Sequence, residues 1–251
     1  DIDRVTELKK AFEILGYKFL GLNGGHYFKP NPSISFHVKC GTKDEVDTIW
    51  QKLSQRGNVL IPLDKYPFSE RYGWIQDKYG FSWQVIFVSD VEPGKRITPV
   101  LMFVKDVCGK AEDAIKLYTS VFKDSSTSGI LRYEKDEEPD KEGTVKYAGL
   151  TLFGQEFGAM DSARGHDFGF NEAISLMINC ADQKEINYFY DKLSVVPEAE
   201  MCGWLKDKFG VSWQFISPGF EKFARKKEVM ESLLKMKRLD INELKRIYGE
   251  R

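Results

Sequence analysis

The strongest constraint on the fold of this chain is that it repeats itself. The segment Tyr72-Gly73-Trp74-Ile75-Gln76-Asp77-Lys78-Tyr79-Gly80-Phe81-Ser82-Trp83-Gln84 returns as Cys202-Gly203-Trp204-Leu205-Lys206-Asp207-Lys208-Phe209-Gly210-Val211-Ser212-Trp213-Gln214, 130 residues later. Upstream, Asn31-Pro32-Ser33-Ile34-Ser35-Phe36-His37-Val38-Lys39-Cys40 matches Asn171-Glu172-Ala173-Ile174-Ser175-Leu176-Met177-Ile178-Asn179-Cys180, 140 residues later. Two blocks in the same order mean one α+β unit used twice. The difference in offset gives the first copy about ten additional residues around Leu60 to Arg71, where a longer loop is expected.

Between the blocks each copy encodes a helix. Thr42 with Glu45, and Asp182 with Glu185, have capping-box spacing. Val46, Ile49, Trp50 and Leu53 share the i, i+3, i+4, i+7 pattern of Ile186, Phe189, Tyr190 and Leu193, so each helix is expected to bury one stripe on a sheet. Before that, Gly16 to Leu22 pairs with Gly154 to Met160 as the second half of a hairpin. Only the second copy has a further strand at Ile97 to Phe103 and a helix at Ala111 to Phe122. Aligning Ile2-Asp3-Arg4-Val5 with Ile130-Leu131-Arg132-Tyr133 predicts roughly 25 to 30 further residues before Asp1, supplying that strand and helix. The expected organisation is residues 1–96, residues 97–218 and a helical tail over 219–251. In the tail, Phe220, Phe223, Met230, Leu233 and Leu234 suggest one amphipathic helix, and Asp240 with Glu243 caps a shorter one holding Leu244, Ile247 and Tyr248.

A chain of 251 residues with 42% apolar side chains can build two cores. Its 37 basic and 38 acidic residues leave a net charge of -1, which supplies no electrostatic footprint for nucleic acid or anionic lipid. No apolar run reaches membrane-spanning length, and Asp1-Ile2-Asp3-Arg4 lacks the order of a signal peptide, so a cytoplasmic protein with a small-molecule partner is expected. A homodimer is compatible with this reading. Cys40, Cys108, Cys180 and Cys202 form no metal-binding or disulfide pattern and read as reduced thiols.

The G-W-x-x-D-K-x-G-x-S-W-Q block, with the strand and helix order around it, resembles the PhnB-like (3-demethylubiquinone-9 3-methyltransferase-like) branch of the vicinal-oxygen-chelate, or glyoxalase/bleomycin-resistance, superfamily. The resemblance covers residues 1 to 218. It implies tandem β-α-β-β-β modules whose mixed sheets curl into cups, with helices outside and the site within. It also implies where divalent-metal ligands would fall. The last-strand glutamate of the metal enzymes corresponds to Gln84 and Gln214, and the histidine of the fifth strand to Ser33 and Ala173. The fourth-strand carboxylate falls near Gly21 and Ala159, and the first-strand ligand near Ile97 or Thr98. These residues are poor donors, so no metal and no cofactor is expected.

Strand alternation places Ser33, Ser35 and His37 on one face, with Ala173, Ser175 and Met177 as counterparts. His37 is the weak candidate for acid–base chemistry, beside the simpler account of a partly buried histidine without a carboxylate to orient it. Trp74 and Trp204 either line a cavity or fill the core, whereas Trp83 and Trp213 alternate with Gln84 and Gln214 and should lie under the helices. Asp77 and Asp207 read as turn residues, Cys40 and Cys180 as packing residues, His26 and His166 as surface loop residues, and Glu134 to Glu142 as a solvated loop. The expected ligand-binding set is Ser33, Ser35, His37, Trp74, Gln84, Ser175, Met177, Trp204 and Gln214.

Two functional classes follow. One is metal-free binding of a small, partly apolar or aromatic molecule. The other is a divergent lyase, isomerase or dioxygenase with a weak metal site or His37 as base. A methyltransferase using S-adenosylmethionine is disfavoured, since the chain has no glycine-rich strand-to-helix turn followed by an acidic residue.

Overall fold

The computed structural model describes residues 9–23, 25–92, 94–217, 219–220 and 226–249. The Ile2-Asp3-Arg4-Val5 segment and Phe223 of the tail lie outside the described residues. The chain forms two compact units, one made of Phe12–Phe19 with Lys29–Phe170 and the other built around the chain from Asn171 onward.

A hairpin of β1 (Lys9–Ile14) and β2 (Tyr17–Leu22) turns at Leu15 and Gly16, both at positive φ. In the first unit, one β-α-β-β-β module follows: β3 (Ile34–Cys40), α1 (Lys43–Leu53), β4 (Asn58–Tyr66), β5 (Ser69–Gln76) and β6 (Ser82–Phe87). A second contains β7 (Ile97–Phe103), α2 (Ala111–Val121), β8 (Ser126–Arg132), β9 (Val145–Leu152) and β10 (Gln155–Asp161). Their strands make one mixed sheet in the order β4-β5-β6-β3-β7-β10-β9-β8. The modules join where β3 and β7 pair antiparallel, from Ile34 opposite Leu101 to Val38 opposite Ile97. Four strands come from each side of residue 96, so the sequence repeat and the sheet divide the chain differently.

The sheet is a cup. Adjacent strands lie about 4.8 Å apart, so a flat sheet would separate β3 from β9, three strands away, by roughly 14 Å. Yet the rings of His37 on β3 and Tyr147 on β9 stack with centroids 5.6 Å apart. Helices α1 and α2 pack on the convex face, α1 over β3, β5 and β6, and α2 over β8, β9 and β10. All seven residues of β7 are buried, as a strand covered on both faces requires.

The second unit contains β11 (Ser175–Asn179), α3 (Gln183–Leu193), β12 (Trp204–Lys206) and β13 (Ser212–Ile216), with sheet order β11-β13-β12. Both capping boxes form: the Glu45 N–H donates to Thr42 Oγ1 at 3.1 Å and the Glu185 N–H to Asp182 Oδ1 at 2.9 Å. The stripe of α3 is fully buried, whereas in α1 only Val46 is, with Ile49, Trp50 and Leu53 half-buried. The tail forms α4 (Lys227–Leu233) and α5 (Ile241–Tyr248). Gln183 ties α5 to α3 by accepting from the Ile241 N–H at 2.8 Å and donating to the Leu239 carbonyl at 2.9 Å. Among the described residues no helix is long and apolar enough to cross a membrane.

Several expectations are corrected. The additional residues of the first copy do not make a loop but lengthen β4 and β5 into a long hairpin; the second copy has a 3-10 turn at Pro197–Ala199 and a three-residue β12 instead. In the tail, Val229 and Leu233 carry the buried face of α4, while Leu234 ends the helix 60% exposed. The acidic run is not simply solvated, because Asp140 is buried and accepts from the Ala163 N–H at 2.6 Å.

The shared motif is a folding device in both copies. Asp207 Oδ1 accepts from the backbone N–H groups of Phe209 and Val211, at 2.9 and 3.1 Å, and its Oδ2 from Trp213 Nε1 at 2.9 Å. Asp77 does the same for Tyr79, Phe81 and Trp83. One carboxylate thus closes the turn and anchors a tryptophan on the opposite face of its strand from the following glutamine, where the Trp83 ring meets Phe36 and Phe19. On β5, Gly73 faces α1, where a methyl group would stand 2.5 Å from the Trp50 ring.

Replacing Asp207 with Ala is therefore expected to lower stability by about 3 kcal/mol, the scale of losing hydrogen bonds to a buried charge, in urea denaturation. Gly73→Ala is expected to cost about 1–3 kcal/mol through overpacking, and Trp50→Leu in the same chain to recover most of it; a double-mutant cycle without coupling would contradict the contact.

Candidate functional site

Alternation and register decide which side chains face into the cup. His37 sits opposite Gln84 on β6 and Thr98 on β7, and Gln84 sits opposite Trp74 on β5. Ser35 and Ser82 are the next pair along β3 and β6, and Met160 opposes Met102 on β10 and β7. Phe36 and Trp83 point the other way, with rings 5.2 Å apart.

The Gln84 amide organises the polar part of the concave face. Its Oε1 accepts from Tyr72 Oη at 2.7 Å and lies 2.6 Å from His37 Nε2, while its Nε2 donates to Ser35 Oγ at 2.8 Å. Since a carbonyl oxygen only accepts, this arrangement puts the imidazole proton on Nε2 and leaves Nδ1 with its lone pair. Trp74 Nε1 donates to Ser82 Oγ at 2.6 Å, so the indole is satisfied and presents an apolar surface. It packs with Tyr72, Met102 and Val104 in a buried cluster joined by Ile61, Tyr66, Ile86, Met160 and Phe168. Trp74 therefore both faces the cup and belongs to a core.

Electrostatically this face is close to neutral. Burial lowers the His37 imidazole to about 4, with the Gln84 hydrogen bond opposing and the Lys39 ammonium adding to the shift, so the ring is uncharged near neutral pH. Burial, helped by the Glu156 charge, pushes the Tyr147 phenol up to about 12, and burial likewise raises Tyr72. At the rim Lys39 and Glu156 pair at 2.5 Å, with Thr98 Oγ1 3.4 Å from the same carboxylate oxygen.

The five first-copy candidates, Ser33, Ser35, His37, Trp74 and Gln84, share this face. The four second-copy candidates lie on the sheet of the other unit. There Gln214 Nε2 donates to Ser175 Oγ at 2.5 Å, but Met177 stands where His37 does and is 39% exposed, Cys202 replaces Tyr72, and Trp204 is half-buried. Tyr72, Tyr147, Glu156, Met160 and Phe168 were not identified from the sequence. Tyr72 could have been found by counting two residues back from Trp74, but Tyr147 and Glu156 reach the site only through the β3–β7 pairing. His26 is exposed as expected, but His166 is half-buried, 2.8 Å from Ser162 Oγ and against Phe168, with its pKa lowered by burial. Cys40 and Cys180 are fully buried, and burial pushes their thiols up to about 11 and about 12, as packing residues require.

A divalent metal of the kind the fold resemblance implies does not fit this donor set. Gln84 Oε1 already accepts two hydrogen bonds, one of them from His37 Nε2, and the Glu156 carboxylate is paired with Lys39. Ser33, at the position of the family histidine, is a hydroxyl; Ala159 and Ile97 alternate with the cup-facing Gly158 and Thr98 and lie on the convex face.

A family model described as 3-demethylubiquinone-9 3-methyltransferase matches residues 3–86 and 95–216. Among solved structures, a protein from Bacillus cereus described as a putative 3-demethylubiquinone-9 3-methyltransferase, PhnB protein, is 42% identical; the match covers 49% of this chain and 98% of that one, with a TM-score of 0.42. A Staphylococcus aureus protein is 33% identical over 48% of this chain and 94% of its own, with a TM-score of 0.21. Glyoxalase I from Zea mays is 14% identical over 85% of this chain and 76% of its own, with a TM-score of 0.47. No curated protein matches the chain. With the family model matched in both halves, the chain belongs to the 3-demethylubiquinone-9 3-methyltransferase family.

Proposed function

We propose that the cup of the eight-stranded sheet binds a small, partly apolar or aromatic molecule without a metal ion. The observation that supports this reading is the Gln84 network, in which the groups best placed to ligate a cation are hydrogen-bonded to each other beside an aromatic wall. A closed network of neutral groups suits an uncharged guest, which loses little hydration on entry. Methyl transfer, although it is in the family's description, gains no support from these residues.

Protein purified without chelator is expected to carry well under one equivalent of any divalent ion by elemental analysis. A small molecule identified by mass spectrometry as co-purifying is expected to bind as tightly in EDTA as without it. A stoichiometric ion whose removal abolishes binding would sink the proposal.

One observation favours acid–base chemistry as a second reading: with Nε2 on Gln84, Nδ1 of His37 keeps its lone pair and could take a proton from a guest, while the burial that lowers the imidazole to about 4 weakens it as a base. The low pKa has a stability consequence. Between the folded value of about 4 and the unfolded value near 6.5, the unfolded chain binds the proton and the folded one does not, so stability falls as pH drops through that window. Comparing urea midpoints at about pH 7 and about pH 4.5, wild-type protein is expected to lose up to ~3 kcal/mol more than His37→Gln. Equal losses would refute the buried neutral imidazole.

A further inference from the structure

The concave face is covered in part by a segment that belongs to neither module. After β10, residues 162–170 run without helix or strand, and from them Phe168 packs against the cluster of Tyr72, Trp74, Met102 and Val104 that Met160 also joins. The segment is held by polar contacts on either side of that ring and, at its end, by the Phe170 ring edge-on to the buried Phe103 at 5.1 Å. At its start, the Ala163 N–H donates to Asp140 Oδ1 at 2.6 Å, and Arg164 stands 3.6 Å from Asp140 Oδ2. Beyond it, Lys105 Nζ donates to the Asp167 carbonyl at 2.7 Å and Asn31 Nδ2 to the Gly169 carbonyl at 3.0 Å.

We propose that the place filled by Phe168 is a subsite for an aromatic ring of the guest, and that residues 162–170 swing aside to admit it. This rests on the reading of the cup as a small-molecule site. The protein's own ring shows what the place fits: one phenyl group, 4.9 Å from the His166 ring and packed against a cluster that contains an indole, a phenol and a thioether. Such walls favour an aromatic ring over a saturated one of equal size through edge, face and sulfur contacts. Phe168 is then an internal competitor, and the apparent affinity for a guest is the intrinsic affinity scaled by the fraction of molecules in which the segment stands open. Loosening the tethers should raise that fraction without touching the subsite. Lys105 is exposed, and Asn31→Asp keeps the oxygen that accepts from the Ser33 N–H while removing the amide that donates to Gly169.

The test uses the full chain with carbon-13 methyl-labelled methionine, 4-fluorobenzyl alcohol as probe and cyclohexylmethanol as the saturated control. The probe ring is expected to give intermolecular NOEs to the Met102 and Met160 methyl groups. Lys105→Met and Asn31→Asp should each strengthen binding about 2- to 10-fold, the range of one net hydrogen bond. Phe168→Ala should strengthen it by roughly tenfold or more, and the control should bind at least several-fold more weakly than the probe. If those NOEs appear but none of the three substitutions changes affinity, the gate is wrong and the cup reading stands. If the probe contacts the His37 and Tyr147 rings and neither methionine, even in Phe168→Ala, the subsite is wrong while the cup reading survives. A probe that contacts neither set removes both.

Discussion

Everything at the candidate site depends on the antiparallel pairing of β3 with β7. It is the seam between two β-α-β-β-β modules, and the parallel pairs β3–β6 and β7–β10 extend from it on either side. Neither module alone forms a cup, because four twisted strands covered by one helix leave the other face open. Joining at the seam brings β5 and β6 to face β9 and β10, and the stack of Tyr147 on His37 follows. Burial on both faces explains why β7 is apolar almost throughout, with Thr98 as its one polar side chain.

Within the cup a single amide sets the chemistry. Gln84 is buried, and its carbonyl and amino groups bind three side chains at 2.6 to 2.8 Å. In a low-dielectric interior an unmet partner of such a network is costly, so the hydrogen bonds fix the rotamers of Tyr72, His37 and Ser35 together. Burial meanwhile keeps His37 uncharged. The result is a concave face whose polar atoms are matched beside the buried aromatic rings of Tyr72 and Trp74. A carboxylate at position 84 would invert this logic by introducing a buried charge that calls for a cation.

The two copies of the long motif separate folding from chemistry. Asp77 and Asp207 make the same three hydrogen bonds, and Gln84 and Gln214 both bond a serine on the neighbouring parallel strand. Around this common frame two inward positions change in chemistry: His37 against Met177 and Tyr72 against Cys202. The Ser212 hydroxyl is unpartnered, whereas Ser82 accepts from Trp74. Retained turns and divergent inward positions are what unequal use of two copies would produce.

Local signals in the sequence determined the modules: the capping boxes, the period of α3, the turn aspartates, the outward tryptophans and the inward set of Ser33, Ser35, His37, Trp74 and Gln84. These depend on interactions within about a dozen residues, where side-chain direction follows directly from helix or strand period. The hairpin made by the residues around Leu60 was not legible, since neither edge-strand residues nor loop residues carry a strong burial pattern. The burial of Asp140 and His166 was also hidden, because both sit in polar stretches whose partners lie elsewhere in the chain. Which modules share a sheet, and therefore that Tyr147, Glu156 and Phe168 stand across from His37 and Trp74, was decided only by tertiary structure. Strand pairing joins backbone groups that every residue possesses, so a sequence repeat fixes the number of modules but leaves open which ones pair.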